Sequence, residues 1–270
     1  MHDIQEQATR IITDAGVRAP PEEVRDLVTF TTRLAAKDCL SVLPPDALAP
    51  EHVAHLTSLH VVAVETGLRD MLAARATAAT HDAPDVTGLA RQRKLDPEQA
   101  QAVAAIAGID SLVVVEGAAG AGKTTMLRVA IEAAIGHGRR TRVVTPTKKA
   151  ADVAAQEFGA MTDSVAKLVH EHGFRWNADG VWSRLALGDT DPENGSTYIG
   201  PAEAAQLASG ERIVVDEAGM IDQDTAHALL TVAGEHGASL ALVATGHSSP
   251  RSGAAACSTW PRSSPRARST

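Results

Sequence analysis

The chain has 270 residues, of which 44% are hydrophobic and 3% aromatic, and its formal charge is −8. This length allows one sizeable core plus a smaller domain, and the acidic balance argues against a generic nucleic-acid coat but does not exclude a local basic groove. Two distant cysteines suggest neither a disulfide framework nor a zinc site. No apolar run could span a bilayer and the first residues do not resemble a signal peptide, so we expect a cytoplasmic protein without a membrane segment.

Helical patterns dominate the first part of the chain. Apolar residues recur at helical spacing over residues 3–15, 21–37 and 50–77. Proline pairs separate these three segments, as expected for helix breaks. We therefore expect a helical N-terminal region over residues 1–81, and a polar linker without periodicity over residues 82–94.

From residue 95 onward, short apolar runs alternate with helical patterns. The apolar runs are rich in Val and Leu and cover residues 112–115, 142–145, 213–215 and 239–243. The helical patterns cover residues 123–136, 148–158 and 223–235. This alternation predicts an α/β fold with a parallel sheet flanked by helices. A further helix should begin at Pro97 with Asp96 as its N-cap, whereas the polar stretch 173–211 should have little regular structure.

Residues 117–124 form a complete G-x-x-x-x-G-K-[ST] pattern between an apolar run and a helical pattern, which is the context of a phosphate-binding loop. Glycines allow the backbone to wrap closely around phosphates, and the start of the following helix attracts anions. We predict that Lys123 contacts the β- and γ-phosphates of ATP and supports catalysis, and that the Thr124 hydroxyl binds Mg²⁺. The predicted nucleotide-binding residues of this phosphate loop are Gly117, Ala118, Ala119, Gly120, Ala121, Gly122, Lys123, Thr124 and Thr125. A simple Gly/Ala-rich turn is the disfavoured alternative.

A second motif follows the third apolar run. Asp216 and Glu217 come directly after Ile213-Val214-Val215, as in a Walker B element. Asp216 would hold Mg²⁺ and Glu217 would act as the general base for the attacking water. Strands often end in solvated acids, so the pair is informative mainly because a phosphate loop precedes it.

Two further features are ambiguous from the residues alone. The Gln99 amide could match the edge of adenine, but a surface helix glutamine is the simpler interpretation. Thr145, Pro146, Thr147 and Lys148 could contact a DNA phosphate backbone, or could form an ordinary solvated helix start.

The histidines at 170 and 172 lack a third ligand at suitable spacing, so a metal site there is disfavoured.

Taken together, four motifs resemble those of superfamily 1 DNA helicases, and most closely the RecD-like part of MobF-type conjugative relaxase-helicases. They are L-D-P-E-Q-A-Q-A-V at 95–103, the phosphate loop, T-P-T-K-K-A-A at 145–151 and V-V-D-E-A-G-M at 214–220. The resemblance implies a RecA-like first motor domain over residues 95–243, adenine contact by Gln99 and single-stranded DNA contact by residues 145–148. It also implies ATP hydrolysis coupled to movement on DNA, with the conjugation machinery as a partner.

The chain departs from that family in several places. The relaxase domain and the second RecA-like domain are not recognised, and Ala244-Thr245 stands where the family continues Gly-Asp-x-x-Gln-Leu. Residues 244–270 contain no Leu, Ile, Val or acid, but seven serines and four arginines, which predicts disorder. Permissible codons in a frame shifted by one nucleotide encode the missing motif, so we interpret the tail as frame-shifted and expect impaired motor activity. The alternatives are a nucleotide-binding remnant without motor function and, less favoured, a P-loop phosphotransferase.

Overall fold

A computed structural model of the chain describes residues 2–43, 56–77, 82–118, 122–177 and 180–245. It divides into two compact units, Met1–Arg69 and Asp70–Thr270. Within the described ranges, no helix is both long enough and apolar enough to cross a membrane.

The first unit contains two paired helices and a small sheet. Its elements are α1 (His2–Asp14), α2 (Pro21–Lys37), β1 (Cys39–Ser41), β2 (Leu56–Ser58) and the start of α3 (Leu59–Thr77). Ala8, Ile12 and Val28 form its buried cluster. The first two predicted helices are confirmed to within one residue. The third begins later than expected, because residues 56–58 pair antiparallel with β1; residues 50–55 lie outside the described part of the chain.

The second unit is built on a five-stranded parallel sheet. In chain order its elements are α4 (Thr87–Gln92), α5 (Pro97–Ala107), β3 (Leu112–Gly117), α6 (Lys123–Gly136), β4 (Thr141–Thr145), α7 (Lys148–Phe158), β5 (Met161–Ser164), α8 (Val165–Glu171), β6 (Phe174–Trp176), β7 (Trp182–Arg184), β8 (Arg212–Val215), α9 (Gln223–Glu235) and β9 (Ser239–Thr245). The strand order is β3-β9-β8-β4-β5, and every neighbouring pair is parallel. The prediction of a helix-flanked parallel sheet is confirmed.

Helices α5 and α6 cover the sheet with aliphatic side chains. Ile106, Leu127 and Ile131 are at most 2% exposed and belong to one cluster with Val143 and Val214 of the central strands. This packing fixes the start of α6 beside the carboxyl end of β3. In open α/β sheets, ligands bind at the carboxyl ends of the strands, so the core places the phosphate loop at the edge where a ligand site is expected.

The predicted linker 82–94 differs from the structure. It contains α4, whose Ala90 is buried, and the preceding Val86 belongs to the same buried cluster as the apolar side chains of α6. The segment is too short for helical periodicity to be visible in the sequence. Part of it packs against the core of the second unit.

The stretch 173–211 has little regular structure, as predicted, but it is not loosely packed. Strands β6 and β7 pair antiparallel, with the rings of Trp176 and Trp182 stacked at 4.7 Å between centroids. Beside them, the buried Arg175 Nη2 donates to Asp191 Oδ2 at 2.6 Å. This ion pair anchors the stretch.

The Arg175–Asp191 pair predicts a defined acid dependence of stability. Hydrogen bonds from the Arg175 side chain, and then from the Glu193 backbone, lower the pKa of Asp191 from 3.8 to about 2. Because the folded-state pKa lies below the unfolded one, the stabilisation is complete above about pH 5 and is lost as the pH falls through about 2. Free energies of unfolding should therefore differ between wild type and Asp191→Asn at pH 6, and this difference should shrink between about pH 4 and pH 2. A difference that stays constant down to pH 2 would show that the pair does not act through ionisation of Asp191.

Candidate nucleotide site

The phosphate loop connects β3 directly to α6. Gly122 precedes the helix with φ +69°, a left-handed conformation that glycine adopts without strain. Ala118 is exposed, whereas Ala119, Gly120 and Ala121 lie outside the described residues. Thr124 and Thr125 are exposed in the first turn of α6, where the Thr124 hydroxyl is accessible to a metal ion.

Lys123 is half-buried, and its stem runs over Gly117. A Cβ built on Gly117 would lie 3.6 Å from both Cγ and Cδ of Lys123. The Lys123 ammonium donates a hydrogen bond to Thr245 Oγ1 at the end of β9. The lysine head therefore lies at the carboxyl edge of the sheet, where ligands of such sheets bind.

Asp216 lies at the same edge, directly after β8. Its backbone N–H donates to Val144 O at 3.0 Å, and its Oδ1 accepts from the Glu217 N–H at 2.9 Å. The pKa of Asp216 is raised above its usual value, mainly because the carboxyl group is buried and also because the Glu217 charge is close. The hydrogen bond from the Glu217 backbone and the Lys123 charge act in the opposite direction. Lys123 and Asp216 are thus within electrostatic reach of each other.

These groups fit a magnesium ion. A hard divalent cation prefers carboxylate and hydroxyl oxygens together with phosphate and water. Asp216 offers an oxygen beyond its contact with Glu217, and a nearby cation would relieve the cost of burying its charge. In the described ranges no three His, Cys, Asp or Glu side chains cluster to hold a metal, so an ion here would need phosphate oxygens and Thr124 to complete its shell.

The comparison with protein families agrees with this geometry. Residues 94–254, more than half of the chain, match a family model described as an AAA domain. The chain belongs to this family. The AAA domain is a P-loop NTPase of a helicase-like kind found in RecD-like helicases. The match begins within a residue of the predicted start of the motor domain and runs past Val243 into the predicted tail. No curated protein matches the chain.

Gln99 of the AAA domain lies beside the phosphate loop. Asp96 and Gln99 form a reciprocal capping box: Asp96 Oδ1 accepts from the Gln99 N–H at 2.8 Å, and Gln99 Oε1 accepts from the Asp96 N–H at 3.1 Å. Gln99 Nε2 is 3.0 Å from the position that a Cβ on Gly122 would occupy. Gln99 thus lies next to the residue that precedes α6, and its contact with adenine stays a prediction.

The predicted DNA-contacting residues divide into two groups. Thr145 is 1% exposed and its hydroxyl donates to Thr147 O, so its side chain is turned away from solvent and contact with DNA there stays a prediction. Pro146 is half-buried, while Thr147 and Lys148 are exposed at the start of α7. Lys148 pairs with Asp152 at 2.8 Å, and this contact raises its pKa. The exposed part remains compatible with contact to phosphates.

Sequence reasoning missed two features of this edge. Glu217 is exposed and has φ +55°, an unusual left-handed conformation for a residue with a side chain. Such strain costs on the order of 1–3 kcal/mol and occurs often at functional sites. Thr245 was also missed, because the apolar run before it gives no sign that β9 lies next to β3.

Proposed function

We propose that the AAA domain binds Mg²⁺-ATP at the phosphate loop and hydrolyses it, as the first motor domain of a superfamily 1 DNA helicase. One observation carries this proposal. Lys123, at the start of α6, and Asp216, directly after β8, both lie at the carboxyl edge of one parallel sheet, within electrostatic reach of each other. A cation aimed at phosphate and a carboxylate suited to a metal are the two halves of a P-loop NTPase site.

Each residue has a defined part in the hydrolysis. The Lys123 ammonium and the first N–H groups of α6 hold the phosphates. Thr124 and Asp216 would bind Mg²⁺, which when bound neutralises charge on the phosphate oxygens. Glu217 accepts a proton from the attacking water while the water oxygen bonds to the γ-phosphorus and ADP leaves with the electrons of the broken P–O bond. Exposure of Glu217 gives water access to its carboxylate.

Single-stranded DNA is the proposed second partner, and conjugative transfer the proposed context. The resemblance of the four motifs to MobF-type relaxase-helicases supports both. Thr147 and Lys148 follow β4, so they lie at the same edge of the sheet as Asp216. Lysine and backbone N–H groups at a helix start are typical contacts to a phosphate backbone.

A salt titration of DNA binding tests this partner. Lys148→Ala should weaken binding of single-stranded DNA and reduce the slope of log K against log salt by about 0.7, the effect of one phosphate contact on a single strand. Arg93 is the matched control, because it is also an exposed cation paired with an acid, Glu132, at 2.8 Å. Arg93→Ala should leave the slope unchanged. Equal slopes for wild type and Lys148→Ala would remove Lys148 from the DNA interface.

A nucleotide-binding domain without motor function is the second candidate. It is favoured by the end of β9, where Ala244-Thr245 offers no carboxylate or amide to a nucleotide. Such a domain would bind Mg²⁺-ATP but release no phosphate from it. A phosphate-release assay on the protein that binds ATP distinguishes the two candidates, because only the motor domain turns ATP over.

A further inference from the structure

The end of β9 lies beside the start of the phosphate loop. In the parallel register of β3 and β9, Val115 pairs with Val243 and Gly117 pairs with Thr245. Val243 is fully buried, whereas Thr245 is partly exposed. The buried Val243 and its pairing with Val115 therefore fix the strand end that presents the Thr245 hydroxyl next to the loop.

The Thr245 hydroxyl receives the head of Lys123. The Lys123 side chain passes over Gly117, where an added Cβ would be in ordinary van der Waals contact with it. The Lys123 ammonium then donates to Thr245 Oγ1. Across the residues for which contacts are described, Lys123 forms no ion pair. Its charge is thus oriented by a neutral acceptor and is not cancelled by a carboxylate.

A neutral acceptor has two consequences for phosphate binding. Lysine carries its charge on a flexible four-carbon stem. A contact that holds the ammonium in place before phosphate binds therefore reduces the conformational entropy lost on binding. A hydroxyl can also accept from the ammonium while donating its own proton to another oxygen. Thr245 can therefore hold the Lys123 ammonium without giving up its own donor.

We propose that Thr245 is a positioning residue, which orients the Lys123 ammonium toward the terminal phosphates of the bound nucleotide. This inference rests on the proposed function for its effect on affinity, but the Thr245–Lys123 contact is independent of any nucleotide. The chain thus uses a threonine at the strand end where the resembling family has the aspartate of Gly-Asp-x-x-Gln-Leu.

The first arm of the test is Mg²⁺-ATP binding at equilibrium. Thr245→Val keeps the shape and the β-branch but lacks the hydroxyl, and should weaken binding about five- to tenfold. Thr245→Ser retains the hydroxyl and should stay within about twofold of wild type. In a Lys123→Ala background, Thr245→Val should have no further effect, since the two residues act as one unit. Thr141→Val, at the opposite end of a parallel strand, is the control and should bind like wild type.

The second arm needs no nucleotide. With ¹³C at the lysine ε-carbon, Thr245→Val should shift the Lys123 resonance and increase its mobility, whereas Thr245→Ser should restore the wild-type signal. Lys123→Arg assigns the resonance by removing it. Thr245→Ala provides a second hydroxyl deletion if Thr245→Val lowers the melting temperature.

The outcomes separate the inference from the proposed function. Failure of the wild type to bind Mg²⁺-ATP would defeat the proposed function. In that case the ¹³C resonance of Lys123 alone would test whether Thr245 orients the lysine. A Lys123 signal that does not respond to Thr245→Val or Thr245→Ala would overturn the inference. So would a loss of affinity that persists undiminished in the Lys123→Ala background.

Discussion

Replacing Glu217 with glutamine should slow ATP hydrolysis by about 10²- to 10⁴-fold, the usual contribution of a positioned general base. Binding of Mg²⁺-ATP should stay within about threefold, because the amide has the same shape and Glu217 holds none of the phosphates in the proposed site. Phosphate release and equilibrium binding, measured on the same preparation, give the two quantities.

Two companion variants make the Glu217 result specific. Glu217→Gly removes the carboxylate and also relieves the strain of φ +55°, so it should be inactive without being destabilised. Glu132→Gln changes an exposed acid farther along α6 and should hydrolyse ATP at the wild-type rate. Retention of more than about a tenth of the rate in Glu217→Gln would rule out Glu217 as the base.

Replacing Glu211 with alanine should lower the free energy of unfolding by about 3–5 kcal/mol, as expected when one partner of a buried ion pair is removed. The Glu211 side chain is 0% exposed and accepts from Arg142 Nε at 3.1 Å and from the Ala208 N–H at 3.0 Å. The Arg142 side chain is itself only 4% exposed, so without Glu211 its charge would stay buried with backbone carbonyls as acceptors but no carboxylate partner.

An exposed pair provides the matched comparison for Glu211. Arg93 and Glu132 are 45% and 46% exposed at their side chains, and Glu132→Ala should cost no more than about 1 kcal/mol. Urea unfolding followed by circular dichroism measures both. A cost below about 1 kcal/mol for Glu211→Ala would mean that Arg142 finds another partner or becomes hydrated.

The core of the AAA domain was largely predictable because its local signals agree with one another. Helices α6, α7 and α9 have the expected bounds, since their periodic stretches are separated by short runs of Val and Leu. The N-cap at Asp96 followed from the residues that open α5. The phosphate loop could be located because its glycines, lysine and threonine occur between a strand and a helix.

The remaining features depend on tertiary structure. Strand β5, Met161-Thr162-Asp163-Ser164, was missed because it lies at the sheet edge and has no apolar run. The place of β9 between β3 and β8 cannot be deduced from local patterns, since it is the last strand of the sheet in the chain. The contact of Lys123 with Thr245, and the approach of Gln99 to Gly122, both follow from that packing rather than from sequence spacing.

Calorimetric titration of Mg²⁺-ATP into wild type, Lys123→Ala and Lys148→Ala tests most directly whether the phosphate loop forms a nucleotide site. Both lysines are the first residue of a helix that follows a strand of the same parallel sheet, so Lys148→Ala controls for the loss of a lysine at a helix start outside the phosphate loop. Lys123→Ala should lose at least about ten- to hundredfold in affinity, the value of one charge-assisted contact to phosphate, while Lys148→Ala should bind like wild type. Equal affinity of wild type and Lys123→Ala for Mg²⁺-ATP would contradict the assignment.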